Sequence, residues 1–310
     1  MRGYIAVTDP GWYQQLSGAP GPQDANFWSP STRQRRLVEG TPFFFKLRAP
    51  LRKIAGFGFF SSFTVLPDWL AWETFREANG VPELAALRAR LGKIRRGARI
   101  RPDPGGAIGC CLIAESVFFP EDAWVDPPRD WRARTQQGAG YDLSQGEGAR
   151  VWAECLARAA SLGAERQGDA RVAREEGPRY GAPALRRPRL GQGIFRVSVM
   201  DAYARACAVT QEHSLPVLEA AHIQPYASGG SHKVSNGLLL RSDLHRLFDR
   251  GYVTVDEDER FIVGRRLKEE FHNGRSYLAL SGQRVVLPSA PAHRPDPGAL
   301  EWHRREVFLG

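Results

Sequence analysis

Residues 217–251 read VLEAAHIQPYASGGSHKVSNGLLLRSDLHRLFDRG. Three polar residues in this stretch stand at the edges of apolar words. His222 closes VLEAA, Asn236 follows fourteen positions later just ahead of LLL, and His245 comes nine positions after that. The pattern predicts a strand ending on His222, a loop, an apolar run after Asn236, and a helix from Ser242 that carries His245. Asp249 is one helical turn beyond His245, so the two side chains share a face.

This order of strand–His, loop, Asn and helix–His resembles the ββα-metal signature of the HNH endonuclease family. The words AAHIQPY, NGLLL and DLHRLFDRG fit that family more closely than three letters alone. Cleaving a phosphodiester needs an activated water, a Lewis acid, and a frame that holds the two in register. On this reading His222 is the general base, an imidazole that is neutral near pH 7 at an ordinary pKa of about 6.5. His245 is a metal ligand, Asp249 a second one, and the cofactor is Mg²⁺ or Mn²⁺. The resemblance gives Asn236 the task of fastening the loop and so fixing the direction of His222.

Two departures stand out. Many members carry Asp or His immediately before the base, as a metal ligand, where this chain has Ala221. The cation would then rest on the helix residues, with water and phosphate oxygens completing its shell. Many members also support the hairpin with CxxC pairs. This chain has Cys207 in CAVTQ and no CxxC, so no structural zinc is expected. Two alternatives stay open: an HNH nuclease that ignores base modification, and a non-catalytic DNA-binding protein with a degraded HNH fold. His213, His232, His272, His293 and His303 lack comparable context and read as ordinary polar residues.

The other residues place this unit in a longer chain. At 310 residues, 42% hydrophobic and 25% charged, the chain has length for two domains with real cores. No apolar run approaches a membrane span, MRGYIAVTDP does not read as a signal peptide, and four cysteines make no disulfide framework. A cytoplasmic protein without a membrane partner is expected. The net charge of +9 divides into +4 over residues 1–165, +4 over 166–190 and +1 over 191–310. Arg88, Arg90, Lys93, Arg95, Arg96, Arg99 and Arg101 form a run with no acid among them. Such a run is either a solvated helix face or, in a DNA enzyme, a set of phosphate contacts. Arg95 and Arg96, Arg186, Arg187 and Arg189 of the linker, and Lys233 and Arg241 of the hairpin are the expected backbone contacts. Double-stranded DNA is the expected partner, and a homodimer is left open.

Residues 1–165 read as an α+β domain. Strands are expected at 2–8, 41–48 and 54–65, with Gly56 and Gly58 marking a bulge or close approach in the last. A strand pair is expected at 108–119, and helices near 10–16, 69–79, 83–96 and 146–162. Residues 17–32 read as a loop carrying Phe27 and Trp28. The words NFWSP, GTPFFFKL and IAGFGFF resemble the EVE-like branch of the PUA superfamily. That resemblance implies a β-barrel-type domain with helices and a pocket for a modified base, with 5-methylcytosine or 5-hydroxymethylcytosine as the target. The pocket residues expected on this resemblance are Trp12, Asp24, Asn26, Trp28 and Lys46. The expected organisation is a reader at 1–165, a basic linker at 166–190 and an HNH domain at 191–310, together a modification-dependent restriction endonuclease.

Overall fold

The computed structural model describes residues 1–18, 23–33, 36–101, 103–169, 191–272 and 274–310. The linker arginines Arg186, Arg187 and Arg189 lie outside them. The chain forms two compact units, Met1–Arg189 and Leu190–Gly310.

The first unit runs β1 (Arg2–Thr8), α1 (Pro10–Ser17), β2 (Gln23–Ser29), β3 (Pro42–Leu47), β4 (Ile54–Pro67), α2 (Asp68–Phe75), α3 (Leu84–Ala98), β5 (Ala107–Phe118), β6 (Gly138–Asp142) and α4 (Gly146–Asp169). Its strands make one six-stranded sheet in the order β2-β5-β4-β3-β1-β6. Only the β1–β3 pair is parallel. The three phenylalanines of β3 show why the core has two layers. Phe43 and Phe45 belong to the cluster under α1, while Phe44 belongs to the one under α4. A strand buried on both faces carries a continuous apolar run instead of an alternating one.

Asp9 caps α1 by accepting from the Trp12 amide at 3.2 Å, with Pro10 opening the helix. That start aims Trp12, Tyr13 and Leu16 into the first layer. On the opposite face Trp152 of α4 meets Phe44 and Phe57 edge-on, at 5.7 and 5.2 Å between ring centroids.

The sheet departs from the expected barrel. Phe27 of β2 lies 5.1 Å from Phe43 of β3, although two strands separate them in the sheet. A flat sheet would hold them about 14 Å apart, at about 4.8 Å per strand. The sheet is therefore strongly rolled, yet no pairing among the described residues closes it. β6 is short, glycine-containing and has no buried residue, so it ends the sheet without offering an apolar face for a further strand.

Three local expectations are also revised. The segment taken as a loop contains β2, whose side chains Asn26 and Trp28 bond to Asn79 at 2.9 and 2.7 Å. Residues 108–119 hold one long strand, because Glu115, at φ 51°, makes a bulge and not a turn. The register breaks opposite Gly58, where a Cβ would press on Ile113 and Ser116. α4 runs on to Asp169, into the stretch read as linker.

The second unit contains α5 (Gln192–Ala202), β7 (Leu218–His222), β8 (Gly237–Arg241), α6 (Ser242–Asp249), β9 (Val253–Val255), β10 (Phe261–Val263), α7 (Arg265–Phe271), α8 (Arg275–Leu278) and α9 (Pro297–Glu306). β7 pairs with β8 and β9 with β10, both antiparallel. The RVVLP stretch at 284–288 makes only an isolated bridge, from Arg284 to Arg260.

α9 is tied back to α6. His303, only 2% exposed, stacks on Phe248 at 3.7 Å. Its Nε2 donates to the Phe248 carbonyl at 3.0 Å, which leaves Nδ1 to accept from the Thr254 hydroxyl at 2.9 Å. The Leu309 amide also donates to the Gly251 carbonyl at 2.9 Å. A neutral ring satisfies both His303 contacts, and burial lowers its pKa to about 4. The unfolded chain thus binds a proton near pH 6.5 that the folded chain refuses. Stability is full above that pH and falls as the pH drops towards 4, by roughly 3 kcal/mol for this group. Urea unfolding of wild type and His303→Gln across pH 7 to 4 checks this. The variant is expected to start less stable and to lose that part of the pH slope.

Candidate active site

The hairpin and helix place the predicted residues on one small unit. His222 ends β7, opposite Gly237 at the start of β8. Gly237 is needed for packing, since a Cβ there would come within 2.5 Å of Val199 and 3.0 Å of Phe195 on α5. The close approach lets the Phe195 ring lie flat on the His222 imidazole, with centroids 3.9 Å apart and planes 15° apart.

Asn236 is buried at the foot of the loop between the strands. Its Oδ1 accepts from the Gln224 amide at 3.0 Å, and its Nδ2 donates to the carbonyls of Gln224 and Ser231, both at 2.8 Å. Its own carbonyl accepts from the Ile223 amide at 2.9 Å. One side chain thus pins both ends of the loop to the residues that follow His222.

That loop carries a residue the sequence reading set aside. His232 Nδ1 lies 3.1 Å from His222 Nε2, and the His232 ring stacks on Tyr226 at 5.2 Å. Burial lowers the His222 pKa, and the charges of His232 and His245 lower it further, against a smaller opposing pull from Asp249. Burial likewise lowers that of His232. Both rings are therefore neutral at pH 7, and one proton lies between the two facing nitrogens.

His245 on α6 faces two carboxylates. Its Nδ1 is 2.7 Å from Glu219 Oε2 of β7, and its Nε2 is 3.3 Å from Asp249 Oδ2. Burial alone would lower the His245 pKa, but Asp249 and Glu219 together outweigh it and raise it. Glu219, like His232, was missed in the sequence. A single glutamate on a strand has no signature until a helix packs beside it. Among the described residues no cluster of three or more His, Cys, Asp or Glu stands ready to hold a metal ion. The Nε2–Oδ2 pair nevertheless suits one, since two adjacent ligands on an octahedral ion, each at about 2.1 Å, sit about 3 Å apart.

The expected phosphate contacts are placed unevenly. Lys233 is exposed beside His232. Arg241 is committed to Asp243 at 2.8 and 2.6 Å, so its charge is already matched. In the first unit Arg95 and Arg96 line a cleft of about 440 Å³ together with Arg88, Arg99, Arg101 and Asp68. Arg88 pairs with Asp68, and Arg95 Nη2 donates to the Ala107 carbonyl.

Of the residues expected in the base pocket, Trp12, Asn26 and Trp28 are brought together around Asn79, whereas Lys46 is not with them. Trp12 is core, with its Nε1 donating to the Asn26 carbonyl at 3.2 Å. The Asn26 side chain is fully buried against Asn79 and Cys110, and Trp28 is bonded to Asn79. Asp24 is half-buried on the same edge strand. Lys46 neighbours Phe45 on β3 but points to the other layer, where its Nζ lies 4.9 Å from the Trp131 ring. The rolled sheet draws the large aromatics inward, so residues near one another in sequence serve different layers.

Comparison with known proteins gives a match over residues 207–256 to the family described as HNH endonuclease. No curated protein matches the chain. Among solved structures, the modification-dependent TagI restriction endonuclease aligns at 12% identity over 99% of this chain and 81% of its own, with a TM-score of 0.30. A ZmASCH mutant protein from Zymomonas mobilis aligns at 8% identity over 48% of this chain and 96% of its own, with a TM-score of 0.32. Likenesses this distant establish no shared fold. The family match covers the hairpin, Asn236, His245 and Asp249 together, and on that ground the second unit carries an HNH endonuclease domain and the protein is a nuclease.

Proposed function

We propose that the protein is a metal-dependent DNA endonuclease in which His222 is the general base and His245 and Asp249 hold the cation. The observation that carries this reading is the pinning of the His222 loop by Asn236, on the same hairpin whose helix presents His245 and Asp249. His222 can donate its Nε2 proton to His232 Nδ1. Its own Nδ1 then bears the lone pair that takes a proton from water, while the Phe195 stack fixes the ring plane. Bound Mg²⁺ or Mn²⁺ would supply Lewis acidity to the phosphate oxygens. Lys233, exposed on the same loop, would meet the DNA phosphates. A cleavage assay on methylated and unmethylated duplexes, with and without chelator, tests the reading. Cleavage that persists in chelator would remove the metal from it.

The finer reading is that the first unit selects DNA with modified cytosine. It rests on the sequence resemblance and on one partly exposed site. There Trp131 and Tyr141 lie nearly parallel, 6.3 Å apart, beside Lys46. Burial and the neighbouring Arg52 lower the Lys46 pKa. Extruding a base costs a few kcal/mol and one stacked base returns about 1–3 kcal/mol, so polar contacts must add the selectivity. The full chain is expected to bind a modified duplex more tightly than its unmodified twin, and Trp131→Ala to weaken that preference by about one stacked base. Competition titration with matched duplexes in chelator measures it. Equal affinity for all cytosine forms rejects the reader and leaves the nuclease standing.

The arginine cleft gives a separate expectation. With Arg88 already matched by Asp68, Arg96 and Arg99 are two of the exposed guanidiniums of the cleft that can meet phosphate. Replacing both by Gln is expected to flatten the salt dependence of DNA binding by about one unit for each lost contact. Affinity measured across a salt series reads it directly, and an unchanged slope takes the cleft out of the interface.

A further inference from the structure

Alternation along β7 puts Glu219 on the same strand face as Ala221, two residues away. Ala221 is fully buried, and Glu219 reaches His245 on α6. The strand therefore does send a carboxylate towards the helix, from two residues before the position that the sequence leaves as alanine.

A neutral imidazole has one proton for two nitrogens. At His245 the competing acceptors lie at different distances, 2.7 Å for Glu219 on Nδ1 and 3.3 Å for Asp249 on Nε2. The shorter charge-assisted bond is the stronger, and a contact at the longer distance is outside the usual range. The proton stays on Nδ1, and the Nε2 lone pair is left pointing at Asp249.

We propose that Glu219 is the positioning residue of the metal site: it holds the Nδ1 proton of His245 and thereby presents Nε2 to a divalent cation beside Asp249. This rests on the reading of His245 and Asp249 as ligands. Three consequences follow from the chemistry. The ring cannot turn to offer its other nitrogen without breaking the Glu219 bond. Electron density pushed from the carboxylate makes Nε2 a better donor. Asp249, more exposed than Glu219, keeps the freedom to move aside as the ion enters.

Mn²⁺ titration of the full-length protein, followed by the electron paramagnetic resonance of free Mn²⁺, tests the proposal. Wild type is expected to bind and His245→Ala to lose that site. Glu219→Ala should bind about 10–100-fold more weakly, the usual loss when such a partner is removed. Its metal-free unfolding midpoint should stay near that of wild type. Glu219→Gln, which keeps an acceptor oxygen without the charge, should fall between the two. A second readout needs no change at Glu219. In metal-free wild type, at a pH where the ring is neutral, ¹⁵N resonances of His245 should show Nδ1 protonated. Their assignment comes from the signals lost in His245→Ala. Glu219→Ala binding Mn²⁺ as tightly as wild type, or an Nε2-protonated His245 in wild type, overturns the role of Glu219. Mn²⁺ binding that His245→Ala leaves untouched instead overturns the ligand reading beneath it.

Discussion

His222→Ala is expected to reduce cleavage of duplex DNA by about 10²–10⁴-fold, the usual share of a positioned general base. DNA binding should change little, because Lys233 and the arginine cleft lie outside the substituted side chain. Part of the loss will come from geometry. Removing the ring uncovers Phe195 and leaves His232 without its partner. His222→Gln separates these effects. It retains bulk and a polar end but cannot take up a proton at neutral pH. If the alanine and glutamine variants are equally inactive and both bind DNA, proton transfer is the function lost. Near wild-type cleavage by either would withdraw His222 from the role of base.

His245→Ala is expected to abolish cleavage by a different route, through the cation. The site offers two ligand atoms, His245 Nε2 and Asp249 Oδ2, so deleting one leaves a lone carboxylate that is more than half exposed. A single exposed carboxylate does not hold Mg²⁺ or Mn²⁺ against water, since such ions keep their hydration shells readily. Excess Mn²⁺ should restore little activity to His245→Ala and more to Asp249→Ala, whose imidazole remains. Cleavage measured against metal concentration distinguishes the variants. Activity in chelator, or full activity of His245→Ala at low metal, would sink the assignment. Unchanged metal affinity in Asp249→Ala would remove that residue from the ligand set.

The hairpin was legible because its polar residues interrupt apolar words at fixed places. His222 and Asn236 bracket a loop, and His245 and Asp249 differ by one helical turn. Glu219 was not legible, since its role depends on α6 crossing β7, a contact between residues 26 apart. His232 and His303 were set aside for the same reason. Their partners lie 10, 49 and 55 residues away, and nothing local marks them.

In the first unit the sequence identified most strands and helices, but not how the sheet bends. The resemblance put Trp12, Asn26 and Trp28 on the wall of a pocket. The roll that brings Phe27 onto Phe43 turns Trp12 and Asn26 into core. β2 was missed because DANFWS mixes a turn-forming start with apolar residues, and its pairing with β5 decides the matter.

The link from α9 to α6 bears on how the nuclease comes into being. His303 meets the Phe248 carbonyl from 55 residues further along the chain. During synthesis, His222, Asn236, His245 and Asp249 all emerge well before the helix that fastens the end of α6. Domains generally fold as units, and a nascent or prematurely stopped chain has every proposed site residue but lacks the clasp behind them. Premature termination before α9 should therefore yield a nuclease unit that is less stable than the full one, because the far end of α6 is left without its partner.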